Sequence, residues 1–195
     1  MIKNINSYKQ HGMTCAIACM LMVLEYYKII PKANYLYEQK YFKSYRSRFI
    51  DGTPFSALAW HFAKNGLHTE IVHSEKEIFT NKNNVFQQDV YNDLIDEYQS
   101  YLKYAEEKGT IIINGIDIDS MFLKRKLEED KLIILAGQID NILHAILICG
   151  CDENNFIICD PLFKQKQIRS FNDIDKFMET SIGKWCVIVS KKEGE

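Results

Sequence analysis

The order of hydrophobic and polar positions divides the chain into a first half with helical periodicity and a second half rich in short apolar runs. In the first half, apolar residues recur every three to four positions, which is the spacing of helices that bury one face. Thr14 and Thr53 are the predicted N-caps of the first and third helices. The predicted elements are helices from Cys15 to about Lys28, from Ala33 to about Lys43 and from Pro54 to just before Gly66, and a strand from Leu67 to Val72.

Residues 74–109 are predicted to be a helical insertion. The polar stretch Ser74 to Asn84 leads into an amphipathic helix that ends at Gly109. Its apolar positions are Val90, Tyr91, Leu94, Ile95, Tyr98, Tyr101, Leu102 and Ala105. Such a face belongs either to the core or to a docking surface. No linker-like composition interrupts the chain, so residues 1–195 are predicted to form a single domain.

The second half combines short strands with two helices. Apolar runs on either side of a turn-forming sequence at 152–155 predict an antiparallel hairpin of Ile142–Cys149 and Phe156–Cys159. The other predicted elements are strands Ile111–Ile113, Leu132–Gly137 and Trp185–Val189 and helices Asp119–Glu129 and Asn172–Glu179. Helices followed by antiparallel strands indicate an α+β fold, with an N-terminal helical half packed on a C-terminal antiparallel sheet.

Composition narrows the range of functions. The 195 residues include 24 Lys and Arg against 26 Asp and Glu, and 47% are hydrophobic, as in an ordinary globular protein. This near-neutral balance argues against nucleic acid or an anionic membrane as the main partner. No Gly-rich phosphate loop is present, so no cofactor is expected. The excess of lysine over arginine, with many Ile and Asn residues, indicates an AT-rich bacterial genome.

The N-terminal apolar run Met13 to Leu24 imitates a signal peptide only at its start, where Lys3 and Lys9 precede it. Glu25 and Tyr26 follow where small residues would mark a cleavage site. The run is also shorter than the roughly 20 residues that a membrane-spanning helix needs. The sequence therefore predicts a cytoplasmic protein whose six cysteines are reduced thiols.

Cys15 and Gln10 form the first candidate constellation. A thiol at a helix N-terminus lies where backbone N–H groups and the helix dipole favour the reactive thiolate. The N–H of Cys15 and the amide of Gln10 could together hold a developing oxyanion. The ordinary alternative is that Cys15 is a small buried residue of an apolar helix, as free cysteines often are.

His144 and Asp160 form the second constellation. His144 lies within the first strand of the predicted hairpin, and Asp160 ends the second strand just before Pro161. Each residue also has an ordinary interpretation. His144 could be a structural histidine of the strand with its ring nitrogens hydrogen-bonded, and Asp160 could be a turn residue. Together with an early thiol, however, they complete the set that thiol-dependent acyl transfer requires.

Three segments, taken in order, resemble one known family. Gln10-His-Gly-Met-Thr-Cys15-Ala-Ile-Ala18 is similar to the start of the papain-like cysteine peptidases that remove double-glycine leaders from bacteriocins. His144-Ala-Ile-Leu-Ile-Cys-Gly150 with Phe156-Ile-Ile-Cys-Asp160-Pro161 is similar to that family's second block. Residues 171–177 resemble its phenylalanine-containing helix before the last strand.

The resemblance spans residues 10–189 and implies a papain-like cysteine peptidase fold. The site residues it implies are Cys15 as the nucleophile, His144 as the base, Asp160 as the carboxylate that orients His144, and Gln10 as the oxyanion-hole glutamine. Thr14 and Ala16 depart from the family's pattern, which often has an acidic residue or Asn before the nucleophile and Gly after it.

Such a site predicts a thioacyl intermediate on Cys15. Water as the second nucleophile would give a hydrolase, and an amine would give an acyltransferase of peptide or natural-product assembly. The substrate would be a peptide or an acyl thioester, with a carrier protein as one source of the thioester. In the transfer reaction, the helix near residues 85–105 would be a docking surface or a lid.

The hairpin must be irregular for this site to form. In a symmetric turn about Glu153 and Asn154, Asp160 would lie opposite Leu147 and on the other face of the sheet from His144. A β-bulge, which adds one residue to one strand, would return Asp160 to the same face of the sheet as His144. Gly150 is the natural position for this bulge.

Two further classes remain open. Cys149, Cys151, Cys159 and His144 have the composition of a zinc site, although their spacing lacks the usual knuckle. A non-catalytic peptide-binding module on the same fold is the other alternative. Among the remaining histidines, only His11 is placed to line a cleft beside Gln10.

Overall fold

The computed structural model describes residues 2–76, 88–140, 142–180 and 183–192. Most of the predicted polar stretch Ser74–Asn84 and the side chains of Val90 and Tyr91 lie outside the described residues. The helices are α1 Cys15–Tyr26, α2 Tyr35–Tyr45, α3 Phe55–Lys64, α4 Gln88–Glu107, α5 Ser120–Glu128 and α6 Phe171–Met178. The strands are β1 Leu67–His73, β2 Ile111–Asn114, β3 Leu132–Ile139, β4 Ile142–Cys151, β5 Asn155–Cys159, β6 Gln167–Ser170 and β7 Trp185–Lys191.

The described strands form one sheet of seven, in the order β2-β1-β7-β3-β4-β5-β6. Neighbouring strands run antiparallel except β1 and β2, which are parallel. Side chains alternate between the two faces, so α1 to α4 pack on one face and α5 and α6 on the other. The predicted α+β class is confirmed. The sheet is not wholly C-terminal and antiparallel, however, because β1 of the first half pairs with β7 and runs parallel to β2.

α1 is the central helix of the larger layer. Every residue from Ala16 to Leu24 is buried, as expected for a helix that is apolar on all sides. Thr14 occupies the N-cap position, but the prediction that its side chain caps α1 is wrong, because its hydroxyl bonds the carboxylate of Glu38 instead. The backbone N–H groups of the first turn are therefore left without a side-chain acceptor from Thr14.

Two helix starts differ from the prediction. Asn34 caps α2, because its side chain accepts a hydrogen bond of 3.0 Å from the Tyr37 N–H, so the helix begins later than Ala33. Pro54, rather than Thr53, is the N-cap of α3. The Thr53 hydroxyl is buried and has no hydrogen-bond partner among the described residues.

The hairpin of β4 and β5 contains the predicted irregularity. Ile148 pairs with Ile158, but Gly150 pairs with Ile157, so one extra residue of β4 is accommodated at Cys149. Leu147 then pairs with Cys159, and the register places Asp160 opposite Ile146. Because Ile146 is two residues from His144, Asp160 and His144 lie on the same face of the sheet.

α4 is built into the body of the protein. Leu94, Tyr98, Leu102 and Ala105 are buried, and the helix packs mainly on α3. Its predicted apolar face thus serves as core. Strand β6 has no counterpart among the predicted elements: it is a short edge strand with mostly polar residues, so it carries no apolar run.

Candidate active site

The start of α1 places Cys15 at the junction between the core and a cavity. Cys15 is a partly exposed free thiol, whereas the next nine residues of the helix are buried. The loop before it, residues 8–14, runs along the surface. The backbone N–H of Gln10 donates to the carbonyl of Pro161 at 2.9 Å, so this loop is tied to the chain just after Asp160.

β4 and the end of β5 position the imidazole and the carboxylate. His144 Nε2 and Asp160 Oδ1 are 2.8 Å apart, and both side chains are buried. Asp160 Oδ1 also accepts a hydrogen bond of 2.9 Å from the Leu162 N–H, which fixes the carboxylate in the turn after β5. Since Nε2 of His144 faces Asp160, its Nδ1 is the ring nitrogen left for the Cys15 thiol.

The surroundings of His144 favour its charged form. Burial lowers the pKa of the imidazole, but the hydrogen bond to Asp160, the proximity of the Cys15 thiol and the negative charge of Asp160 raise it to about 9. At neutral pH an imidazolium is therefore favoured beside the sulfur. A neighbouring cation of this kind stabilises a thiolate.

Gln10 also reaches the cavity. One N–H of its amide donates to the Gly12 carbonyl, and the second N–H remains for another acceptor. The amide oxygen is buried and has no partner among the described residues. Gly12 has φ of +90°, a conformation that glycine adopts without strain.

Glu38 is the residue of this site that the sequence does not reveal. Its fully buried carboxylate accepts hydrogen bonds from the His11 N–H and His11 Nδ1, both at 2.8 Å, from the Tyr8 hydroxyl at 2.6 Å and from the Thr14 hydroxyl. Burial alone would raise the pKa of Glu38, but these hydrogen bonds outweigh it and lower the pKa. A lone glutamate in the first turn of a helix gives no sequence signal for such a contact.

Phe177 covers the other side of the His144 region. Its ring lies edge-on to the imidazole, with centroids 6.4 Å apart, and it occupies the space beside Gly137, the residue paired with His144 across β3 and β4. Any side chain at position 137 would collide with this ring.

A cavity of about 320 Å³ opens beside Cys15. Cys15, His144 and Gln10 form part of its wall, while Asp160 lies behind His144. Most of the wall is apolar, and its larger apolar members are Met13, Ile50, Phe55, Leu94, Tyr98, Ile139, Ile142, Leu143, Leu162 and Trp185. Among the described residues that line it there is no Lys or Arg, and His11 is not part of the wall.

The other cysteines are arranged as core residues. Cys19, Cys149, Cys151, Cys159 and Cys186 are buried free thiols. The structure does not gather the four residues of the zinc alternative, because Cys151 faces the layer of α5 and α6 while Cys149 and Cys159 face α1. Over the described ranges, no group of three His, Cys, Asp or Glu residues is arranged to hold a metal ion.

The helical layer on a mostly antiparallel sheet, with a thiol at the start of the central helix and a histidine on the sheet, defines the papain-like class of cysteine peptidases. The model of the Peptidase_C39 like family matches residues 2–191, and the chain belongs to this family. The predicted papain-like fold and the resemblance to the bacteriocin-processing branch are thereby confirmed. No curated protein matches the chain.

The family makes the protein cysteine peptidase-like and implies peptide substrates. Within the described residues, no helix has both the length and the hydropathy needed to span a bilayer.

Proposed function

We propose that the protein is a thiol-dependent acyl-transfer enzyme that cleaves an amide bond of a peptide through a Cys15 thioester. The observation that carries this proposal is that Cys15 and His144 line the same apolar cavity, while His144 is hydrogen-bonded to the buried carboxylate of Asp160. The three groups have the order of nucleophile, base and orienting carboxylate.

In this mechanism, His144 Nδ1 takes the thiol proton and the thiolate attacks the substrate carbonyl carbon. The Cys15 N–H and the free N–H of the Gln10 amide hold the oxyanion. His144 then protonates the leaving amine as the C–N bond breaks. A water molecule, deprotonated by His144, attacks the thioester and releases the acid and the thiol.

Glu38 supports this chemistry as a positioning residue. It touches no wall of the cavity but bonds three residues of the loop that carries Gln10 and leads into Cys15. Its carboxylate thus holds the backbone on which both oxyanion donors depend.

Transfer of the acyl group to an amine is the second candidate. The mainly apolar wall favours it, because a poorly hydrated cavity slows attack by water on the thioester. A carrier-protein thioester is less well supported as the acyl donor. A carrier protein holds its acyl group on an arm that is attached through a phosphate, and the described residues of the cavity wall include no Lys or Arg that could bind this phosphate.

Alkylation with iodoacetamide tests the nucleophile. We expect rapid alkylation confined to Cys15 at mild pH, slowed at least about 10-fold in His144→Ala, because the imidazolium no longer stabilises the thiolate. Cys19→Ala is the matched control, since Cys19 is one turn further along the same helix and fully buried. Equal, slow alkylation of all six cysteines would favour the non-catalytic module.

Intact-mass measurement after incubation with peptides then separates the two reactions. An acyl adduct on Cys15 that disappears in buffer alone indicates hydrolysis. An adduct that persists until an amine is added indicates transfer. Peptides that leave the mass of the protein unchanged and are not cleaved would contradict both.

A further inference from the structure

Two buried cysteines of the hairpin are in contact with each other. The sulfur atoms of Cys149 and Cys159 are 3.9 Å apart, and both side chains belong to the core on the side of α1. A disulfide bond has a sulfur–sulfur length of about 2.05 Å, so the two sulfurs need to approach by only about 2 Å to form one. The mechanism proposed above uses neither thiol.

The strand pairing is interrupted at both cysteines, which allows this approach. Cys149 is the extra residue of the β-bulge and has no partner in the described ladder of β4 and β5. Strand β6 pairs with residues 155–158 and stops before Cys159, so Cys159 is held on one side only, by Leu147. Backbone with fewer ladder hydrogen bonds moves at a lower free-energy cost than backbone in the middle of a sheet.

The surroundings of the pair favour a thiolate on Cys159. The hydrogen bond from the Cys149 thiol contributes most to lowering the pKa of Cys159. The Ser7 hydroxyl, which donates to Cys159 Sγ at 3.4 Å, and the positive charge of Lys166 lower it further, and together these contributions outweigh burial. A thiolate is the form of cysteine that peroxides oxidise, and a neighbouring thiol converts the product into a disulfide.

The segment at residues 2–7 contacts both cysteines. The Lys3 N–H donates to the Cys149 carbonyl at 2.9 Å, and Ser7 contacts Cys159. Over the described residues, this segment forms an isolated bridge rather than a continuous ladder with the sheet, so it can open locally at a low free-energy cost. Hydrogen peroxide is little larger than water and needs only a brief opening of this kind.

We infer that Cys149 and Cys159 form an oxidation site at which a hydroperoxide produces a disulfide. The Cys159 thiolate attacks one oxygen of hydrogen peroxide, which gives a sulfenic acid and a hydroxide ion that takes up the proton released by Cys159. The Cys149 sulfur then attacks the sulfenic sulfur, and the sulfenic oxygen leaves as water with the Cys149 proton. The two thiols lose two electrons and two protons, and the peroxide is reduced to two water molecules.

The disulfide affects the candidate site because Asp160 follows Cys159 directly. Movement of Cys159 toward the bulge displaces the carboxylate, which lies 2.8 Å from His144 Nε2 and has little room to move without weakening that hydrogen bond. The pKa of His144 should therefore fall when the disulfide forms. This regulatory role rests on the proposed function, whereas formation of the disulfide does not.

The test uses the Cys15→Ala protein, so that the candidate nucleophile cannot itself be oxidised. After incubation with hydrogen peroxide, the free thiols are blocked under denaturing conditions and the chain is cleaved after its glutamates. Cleavage at Glu153 separates Cys149 from Cys159 in the sequence. We expect mass spectrometry to find the two fragments joined until dithiothreitol is added, and their absence would overturn the inference.

Two substitutions on β4 identify the bond. Cys149→Ala should abolish the joined fragments. Cys151→Ala is the matched control, because Cys151 is a buried cysteine of the same strand and the same fragment but faces the layer of α5 and α6. Circular dichroism before oxidation establishes that both variants are folded. Joined fragments that persist in Cys149→Ala, or that are lost equally in Cys151→Ala, would contradict the assignment.

NMR titration of the His144 imidazole measures the effect on the site. We expect the pKa to be lower by about half a pH unit or more in the oxidised Cys15→Ala protein than in the reduced one, and peroxide should not change it once Cys149→Ala is added. Complete disulfide formation with an unchanged pKa would overturn the inference. Neither readout needs a reactive Cys15, so a failure of the proposed function leaves both results standing. Acylation of Cys15 in the unsubstituted protein, combined with no disulfide, would refute the inference alone.

Discussion

The two sides of the candidate site are organised by two buried carboxylates with different surroundings. Glu38 accepts hydrogen bonds from three residues of a single loop, Tyr8, His11 and Thr14, and does not reach the cavity. Asp160 accepts one hydrogen bond from His144 and one from the backbone of Leu162. The first carboxylate therefore fixes the path of the chain before Cys15, and the second sets the charge and direction of a side chain.

This difference separates stability from chemistry. Loss of Glu38 leaves several partly buried donors without an acceptor, which lowers the free energy of unfolding whether or not a substrate is bound. Loss of the Asp160 charge leaves the hairpin ladder of β4 and β5 intact and changes mainly the protonation of His144. The following variants test whether the two roles can be separated.

Glu38→Ala is expected to have the largest effect. It should lower the free energy of unfolding by about 3–5 kcal/mol, because the Tyr8, His11 and Thr14 donors lose their shared acceptor. Urea denaturation followed by circular dichroism measures the loss.

Glu107→Ala is the matched control, since Glu107 is an exposed helical glutamate, and it should change stability by less than about 0.5 kcal/mol. Glu38→Gln, which keeps the shape but has only one acceptor oxygen, should lie between the two. A loss below about 1 kcal/mol in Glu38→Ala would show that the loop holds its path without this carboxylate.

The two carboxylates should affect the stability of the protein at opposite ends of the pH range. The pKa of Glu38 is lowered in the folded protein, so its contribution is present above its ordinary pKa of 4.5 and is lost as the pH falls further. The pKa of His144 is raised from 6.5 to about 9, so its contribution is complete below pH 6.5 and is lost as the pH rises through 9.

We therefore expect Glu38→Gln to flatten the acid side of the stability curve and Asp160→Asn to flatten the alkaline side. The alkaline change is at most about 3 kcal/mol, because one pKa unit corresponds to about 1.4 kcal/mol. Urea midpoints measured from pH 3 to pH 10 give both curves. If either substitution flattened both sides equally, the two carboxylates would not be independent.

Asp160→Asn should also change the pH dependence of activity. With its partner's charge removed, the pKa of His144 should fall toward its ordinary 6.5, so the alkaline limb of kcat/KM should move down from about pH 9 by one to two pH units. At neutral pH the rate should fall about 10- to 100-fold. Glu38→Gln should lower the rate without moving the limb, and a shift in that variant would contradict its role as a positioning residue.

The same comparison explains what the sequence could predict. The hairpin follows from local alternation and the turn at 152–155. The bulge is predicted only because the hypothesised contact between His144 and Asp160 requires it, and the structure contains both the bulge and the contact. These features depend on residues close in sequence. The α+β class followed from the same periodicities.

The contacts of Glu38 could not be predicted, because they join residues 24 to 30 positions apart through side chains that no period places together. The helix caps at Thr14 and Thr53 were wrong for a related reason. The Thr14 hydroxyl bonds the distant carboxylate of Glu38 instead of capping α1, and the Thr53 hydroxyl is buried one residue before the actual N-cap of α3, Pro54. Packing, rather than the local sequence, decides both outcomes.

Gly137→Ala is expected to have the smallest effect, and it perturbs the His144 side by packing alone. The new methyl group would collide with the ring of Phe177, which must move away from its edge-on position beside the imidazole. Displacing one well-packed ring should lower stability by about 1–2 kcal/mol and leave the Glu38 contacts unchanged.

Adding Phe177→Leu should recover most of that stability, since the smaller side chain makes room for the methyl group. If the double variant regained stability but not the alkaline limb near pH 9, the Phe177 ring itself would be required to hold His144 against Asp160. If the single variant were as stable as the original protein, the close approach of Phe177 to β3 would be unimportant for the site.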